Sequence, residues 1–164
     1  MILILVRHGI AEDATNGSDS ADAARPLTEK GRRKVRSVAK QLAALELPVS
    51  HVVTSHRLRA IQTAEELIAE IDPTLAMQQS SAMDMDASWP ELVAALNRLT
   101  NSSRSAVIVA VGHLPSIGLF LSAALTGSGE DYPFRKGAAV VLEWDPVLTL
   151  APGRFRAYLA DQPA

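Results

Sequence analysis

Apolar residues along this chain follow two rhythms. Ile2–Val6, His51–Val53 with Thr54, Ala106–Val111 and Ala138–Trp144 are short continuous runs rich in Val and Ile. A strand with one wet face alternates. These runs do not, so they read as strands covered on both faces, as in a parallel sheet. Thr74–Gln78 is a weaker strand. Phe155, Ala157 and Leu159 alternate with Arg154, Arg156 and Tyr158, which predicts a last, half-exposed edge strand.

Helical spacing fills the intervals. Val35, Val38, Ala39, Leu42 and Leu45 form one apolar stripe, with Thr28 as N-cap, Glu29 at the positive helix end and Pro48 as the stop. Leu58, Ile61, Ala64, Ile68 and Ile71 form a second, closed by Pro73. Ser88, Pro90 and Glu91 open a third helix with Leu92, Leu96 and Leu99 on one face. Pro115 opens a fourth, carrying Ile117, Phe120, Leu121 and Ala124, and Gly127 follows it. Strand and helix alternate, which predicts a layered α/β fold with right-handed crossovers. The polar stretch from Ala11 to Arg25 reads as a loop, mobile at its tip.

Composition narrows the class. A chain of 164 residues with 48% apolar and 21% charged residues is globular, and residues 1–164 read as one domain. Cysteine is absent, which excludes disulfides, thiolate chemistry and metal sites built on Cys. Sixteen Lys and Arg against 18 Asp and Glu give a net charge of −2, too balanced for a field that draws nucleic acid or anionic lipid. The early apolar run is too short for a signal peptide and no stretch could span a membrane, so a cytoplasmic protein is expected. Arg32, Arg33, Lys34 and Arg36 read as a solvated helix face, able at most to dock an acidic partner protein. Trp89 and Trp144 read as core or cap residues.

In open α/β sheets, ligands bind beyond the carboxyl ends of the strands. Arg7, His8 and Gly9 follow the first strand; Ser55, His56, Arg57 and Arg59 follow the second; Gly112 and His113 follow the Ala106–Val111 strand. Taken singly, each has a plain structural reading: a surface Arg-His pair, helix-surface charge, a turn with a solvated His. Their coincidence at three strand ends makes a basic site suited to a phosphoryl group. An imidazole with one unprotonated nitrogen can attack phosphorus, and Arg offers phosphate a planar fork. One His as nucleophile, two Arg as clamps and a second His as donor complete a minimal set that requires no metal and no cofactor.

Four stretches carry a resemblance to a known family. Val6-Arg7-His8-Gly9 resembles the Arg-His-Gly signature of the histidine phosphatase superfamily. Ser55-His56-Arg57-Leu58-Arg59-Ala60-Ile61-Gln62-Thr63-Ala64 resembles its second motif and Val111-Gly112-His113 its third. Arg25-Pro26-Leu27-Thr28 with Gly31 resembles the opening of its first helix. The short length and the Arg-Pro-Leu-Thr stretch are most similar to the SixA-type phosphohistidine phosphatases. The resemblance implies a phosphoglycerate mutase-like fold: a mostly parallel central sheet, helices on both faces and an antiparallel edge strand. It also implies that His8 is the phosphorylated nucleophile, and that Arg7, Arg59 and His113 bind the phosphoryl group. Arg57 falls on a variable position of the motif.

The chain departs from the wider family in places. Ile10, Ala11 and Ala14 stand where mutase-type members carry polar groups that contact phosphate. The family's Ser-Pro pair is Ser55-His56, and His56 reads as a solvated loop residue or part of the site's rim. The usual Glu proton donor has no clear match. Asp84 and Asp86 are the first candidates, with Glu91 and Glu12 also open. Between Pro73 and Trp89 there is no insertion large enough for a lid. An alkoxide leaving group needs strong proton donation, whereas imidazole accepts a proton near neutrality. The expectation is therefore a phosphohistidine phosphatase acting on a phosphorylated protein, such as a histidine phosphotransfer domain or a phosphocarrier. A phosphatase for small phosphomonoesters and a phosphate-binding module of low turnover are the alternatives.

Overall fold

The computed structural model describes residues 1–130 and 132–161. Among these the elements are β1 (Ile2–Arg7), α1 (Asp19–Ala23), α2 (Glu29–Ala43), β2 (His51–Thr54), α3 (Leu58–Ile71), β3 (Met77–Gln79), a 3-10 turn (Ser81–Met83), α4 (Trp89–Leu99), β4 (Val107–Gly112), α5 (Ser116–Thr126), β5 (Ala139–Glu143) and β6 (Arg154–Leu159). The strands form one sheet in the order β3-β2-β4-β1-β5-β6. β1 to β4 run parallel, β5 runs antiparallel to β1, and β6 runs antiparallel to β5. The edge strand is antiparallel as expected. The run containing β5 is antiparallel too, although its unbroken apolar character reads like that of a parallel strand.

Those unbroken runs reflect two cores. Successive side chains of a strand point to opposite faces. Leu3, Leu5, Ile108, Ala110, Val140 and Leu142 therefore pack on one face with Leu92 and Leu96 of α4 and with Ile117, Phe120 and Leu121 of α5. Ile4, Val6, Val107, Val109, Val111 and Val141 pack on the other with Val35, Val38 and Leu42 of α2 and Ala60, Ala64 and Leu67 of α3. Trp144 joins the first core, and its indole N–H donates to the Ala151 carbonyl at 2.9 Å.

Helix ends follow local chemistry. The Thr28 hydroxyl accepts the Gly31 N–H at 2.9 Å and starts α2. Ser88 and Glu91 form a reciprocal capping box at the start of α4. Gly127, at φ 75°, ends α5 in the left-handed region where glycine is favoured.

Four expectations need correction. The stretch from Ala11 to Arg25 is not simply a loop: Ala11 bridges Leu27, and Ser18 caps α1. The inward face of α3 is Arg59, Ala60, Thr63, Ala64, Glu66 and Leu67, because this helix faces α2 and the ends of the strands as well as the sheet. Leu58, Ile61, Ile68 and Ile71 are only partly buried. The basic cluster on α2 is not simply solvated. Arg32 and Arg36 both bind the buried Glu66 carboxylate, at 2.8 and 2.6 Å, and Lys34 pairs with Asp161 at 3.0 Å. Leu45 lies beyond the end of α2 and is exposed.

Candidate active site

Sheet register builds the site. Arg7 of β1 lies beside Gly112 of β4, and Thr54 of β2 lies beside Val111. Three adjacent strands thus end at one level, and the residues that leave them are His8, Ser55 and His113. From β1 the chain passes over one face of the sheet through α2, while from β4 it passes over the other through α5. Crossovers diverging between neighbouring strands open a crevice at their carboxyl ends, and this is where such sheets bind ligands.

The chain after β1 is held from several sides. The His8 N–H donates to the Gly112 carbonyl at 3.1 Å. The Gly137 N–H donates to the carbonyls of Arg7 (3.0 Å) and His8 (3.1 Å), and Gly137 has a φ of 77° that suits glycine. The Gly9 N–H donates to the Thr63 hydroxyl at 3.0 Å, and that hydroxyl donates to the Arg59 carbonyl at 2.7 Å. Arg7 is anchored through Nη1 to the Phe134 carbonyl at 2.5 Å.

This scaffold sets the state of both imidazoles. His8 Nδ1 lies 2.7 Å from the Gly9 carbonyl. A carbonyl can only accept, so Nδ1 carries the proton and Nε2 keeps its lone pair. Burial pushes His8 from 6.5 down to about 3; the Gly9 bond opposes this, and the charges of Arg59, Arg7 and Lys136 add to it. His113 is pushed down to about 2, again chiefly by burial, with His8, Arg59 and Arg57 adding and Asp22 opposing. Both rings are neutral at neutral pH, and their centroids are 4.8 Å apart.

Ser55 fixes the second ring. Its hydroxyl accepts the Arg57 N–H at 3.3 Å and lies 2.5 Å from His113 Nε2. With the Arg57 N–H donated to one lone pair, the hydroxyl is able to give its own proton to Nε2, and that is the arrangement taken for the site. His113 then carries its proton on Nδ1, which is buried and has no hydrogen-bond partner among the described residues. A neutral donor and a neutral nucleophile therefore stand side by side.

His8, His113, Arg7 and Arg59 come together as the motif spacing suggests, and Arg59 is 3% exposed. The carboxylates fall elsewhere. Asp84 accepts from His56, at 3.3 Å from the backbone N–H and 3.2 Å from Nδ1, so the half-exposed His56 is paired rather than merely solvated. Asp86 and Glu91 line a groove of about 390 Å³ with Ser80, Ser81 and Arg98, and Glu91 also caps α4. Glu12 is exposed, and its carbonyl accepts from Arg25 Nε.

Three residues with roles in this geometry escape a reading by chemistry alone. Ser55 and Thr63 lie inside the second motif, and a polar residue on the inward face of α3 is the signal for Thr63. Asp22, in the polar stretch, binds Arg25 at 2.8 Å, Arg57 at 2.5 Å and Arg59 at 3.1 Å. No spacing rule links it to partners 35 and 37 positions away.

The arrangement agrees with comparisons to known proteins. The family model of the histidine phosphatase superfamily (branch 1) matches residues 3–86. An uncharacterised protein of Picosynechococcus is 35% identical over 142 residues, spanning 86% of this chain and 83% of that protein. Phosphohistidine phosphatase SixA of Escherichia coli is 31% identical over 137 residues, spanning 77% and 76%. The structure of protein histidine phosphatase SixA complexed with tungstate superposes with a TM-score of 0.81 at 26% identity, covering 98% of this chain and 97% of that one. With the two imidazoles and two arginines gathered at the ends of β1, β2 and β4, the chain belongs to the histidine phosphatase superfamily and is a phosphatase.

Proposed function

We propose that this phosphatase hydrolyses phosphohistidine on a partner protein, such as a histidine phosphotransfer domain or a phosphocarrier, through a phosphorylated His8. The observation that carries the reading is the neutral His8, with its proton held by the Gly9 carbonyl and its Nε2 lone pair free beside His113. Nε2 attacks phosphorus in line. The substrate imidazole takes a proton from solvent on its other nitrogen; a new N–P bond then forms at His8 as the substrate's N–P bond breaks, and neutral imidazole departs. Arg7 and Arg59 balance the charge on the equatorial oxygens, and His113 donates from Nδ1. Water then attacks phosphorus, the His8 N–P bond breaks, and orthophosphate leaves.

The choice of leaving group rests on the acids. Asp22 is bonded to Arg59 but is held down to about 2, first by its hydrogen bond from Arg25 and then by Arg59 and Arg57. It stays ionised at neutral pH and donates no proton. An imidazole leaving group, with a pKa near 6.5, does not need a strong acid, whereas an alkoxide does. The similarity to SixA of Escherichia coli supports the same substrate class.

A second reading, hydrolysis of small phosphomonoesters, is favoured by one feature. Asp84 follows Met83, which packs against Gly112, and precedes Met85, whose sulfur lies 3.9 Å from Arg59 Nη2. The His56–Asp84 pair therefore stands near the mouth of the site, where one of its members, or Asp86 beyond it, would serve as acid. Phosphate release from a phosphohistidine protein and from a generic phosphomonoester, without added metal, separates the two. Release from the phosphohistidine protein that vanishes in His8→Ala is expected. Substantial turnover by His8→Ala would sink the nucleophile assignment. Release mainly from the ester, lost in Asp84→Asn, would establish the second reading.

A further inference from the structure

We infer that Asp22 is a positioning residue: it grips the end of the Arg59 fork and so turns the other edge of that guanidinium toward the phosphoryl group. The inference rests on the reading of Arg59 as a phosphate ligand and adds what aims it. Arg59 Nη1 donates to the Asp22 carbonyl at 2.7 Å, and Nη2 donates to Asp22 Oδ2 at 3.1 Å. One residue thus holds both tips of the fork, through main chain and side chain together. Arg59 Nε, on the side edge of the same plane, is buried without a partner among the described residues. A planar guanidinium offers two edges to oxygen acceptors; here Asp22 holds the end, and on the side edge Nε is left for a ligand while the Met85 sulfur lies 3.9 Å from Nη2.

The same carboxylate organises the neighbouring arginines. Its Oδ2 also accepts from Arg57 Nη1 at 2.5 Å, and its Oδ1 accepts from Arg25 Nη1 at 2.8 Å. Three guanidiniums would otherwise repel one another at the mouth of a site that must take an anion. Asp22 is held down to about 2, so its charge is constant through the working range of pH. Asp19, on the same short helix, binds Arg57 alone, at 2.8 Å, and is largely exposed. None of the residues of α1 is buried, so the helix contributes these polar contacts rather than packing.

The test is a double-mutant cycle between Asp22 and Arg59. Its readouts are inorganic phosphate binding by calorimetry and kcat/KM on whichever phosphorylated substrate the wild type turns over. Misplacing a charged clamp by about 1 Å costs on the order of 100-fold. Asp22→Ala is therefore expected to lose roughly that in kcat/KM and to weaken phosphate binding, with a melting temperature close to wild type. Both variants keep the main-chain carbonyl contact, but Asp22→Asn also keeps a side-chain oxygen to accept from the guanidiniums and is expected to lose less. Because Asp22 acts through Arg59, the Asp22→Ala/Arg59→Ala protein should be no worse than Arg59→Ala alone. Asp19→Ala should behave as wild type. Additive losses, an equal loss in Asp19→Ala, or tighter phosphate binding by Asp22→Ala would each overturn the inference. If Arg59→Ala weakens phosphate binding but Asp22→Ala does not, this inference alone fails. If Arg59→Ala binds phosphate like wild type, the reading beneath it fails as well.

Discussion

A phosphorylatable histidine must be both unprotonated and aimed, and in this protein separate groups meet the two needs. Burial and the charges of Arg7 and Arg59 keep His8 neutral, and a single hydrogen bond to the next residue's carbonyl chooses its tautomer. His113 needs the same Nδ1–H tautomer, here to donate to a phosphoryl oxygen, and among the described residues only the Ser55 hydroxyl is bonded to its Nε2. A short hydroxyl contact of this kind is worth about 1.5 kcal/mol, or roughly tenfold in rate, when the partner must hold one protonation state. Ser55→Ala is therefore expected to lower kcat on a phosphorylated substrate by about tenfold or more, with a smaller effect on KM. Nitrogen chemical shifts of His113 should show loss of the Nδ1–H preference in the same variant. Wild-type turnover with an unchanged His113 tautomer would show that Ser55 merely fills space. Arg57 extends the same chain of bonds, since its backbone N–H donates to Ser55 while its guanidinium holds Asp22. A residue on a variable position of the motif thus ties the histidine side of the pocket to the arginine side.

At the scale of elements, the site depends on how closely α2 approaches the chain leaving β1. Gly31 sits at the third position of α2, and a Cβ there would fall 2.1 Å from the Ile10 carbonyl oxygen. The obstacle is backbone, already fixed by the Thr28 N–H donating to that same oxygen at 2.9 Å. Alanine gains about 1 kcal/mol in helix propensity, but overpacking against backbone costs about 1–3 kcal/mol or more. Gly31→Ala is therefore expected to lower the melting temperature by several degrees and, with Ile10 two residues from His8, to reduce kcat. Gly129→Ala, with nothing within 4 Å of the added carbon, should change neither and serves as the control. Helix ends and strand positions are legible because capping, proline stops and burial on both faces leave local marks, as at Thr28, Ser88 and Ile2–Val6. The direction of β5 is not, since an apolar strand covered on both faces reads alike whichever way it runs. Nor is the polar half of α3, because Arg59, Thr63 and Glu66 are buried by partners distant in sequence: the strand ends for the first two, and Arg32 and Arg36 for the third. The short helix α1 leaves no apolar stripe at all, so its docking by Asp22 shows only once the fold brings Arg57 and Arg59 to it.

For the molecule as a whole, the two neutral histidines couple stability to acidity in a predictable direction. In the unfolded chain both take up protons near pH 6.5, whereas in the folded chain His8 does so near 3 and His113 near 2. Between these limits the unfolded state binds more protons, so stability rises with pH. The contribution is fully present above pH 6.5 and declines as pH falls toward 3. Each histidine adds up to about 1.4 kcal/mol per pH unit within its window. Asp22 acts lower down: its carboxyl is held at about 2 against an ordinary 3.8, so its contribution is present above 3.8 and fades below it. Between pH 4 and 6 the histidines add their slope to that of Glu66 and Glu91, whose carboxyls are lowered from 4.5 and which the histidine variants share with the wild type. Denaturant unfolding across that interval is expected to show wild-type stability falling with acid, with a shallower fall in His8→Gln and a shallower one still when His113 is also replaced by Gln. Bound phosphate should flatten the wild-type curve as well, because an anion in the pocket offsets the field of Arg7 and Arg59 and raises both imidazoles toward their ordinary range. A His8→Gln protein whose stability falls as steeply as wild type between pH 6 and 4 would mean that His8 is already protonated in the fold. An imidazolium has no lone pair to offer phosphorus, so in that case turnover should fall with acid from about pH 6.5, whereas a His8 held near 3 keeps its lone pair well below that pH.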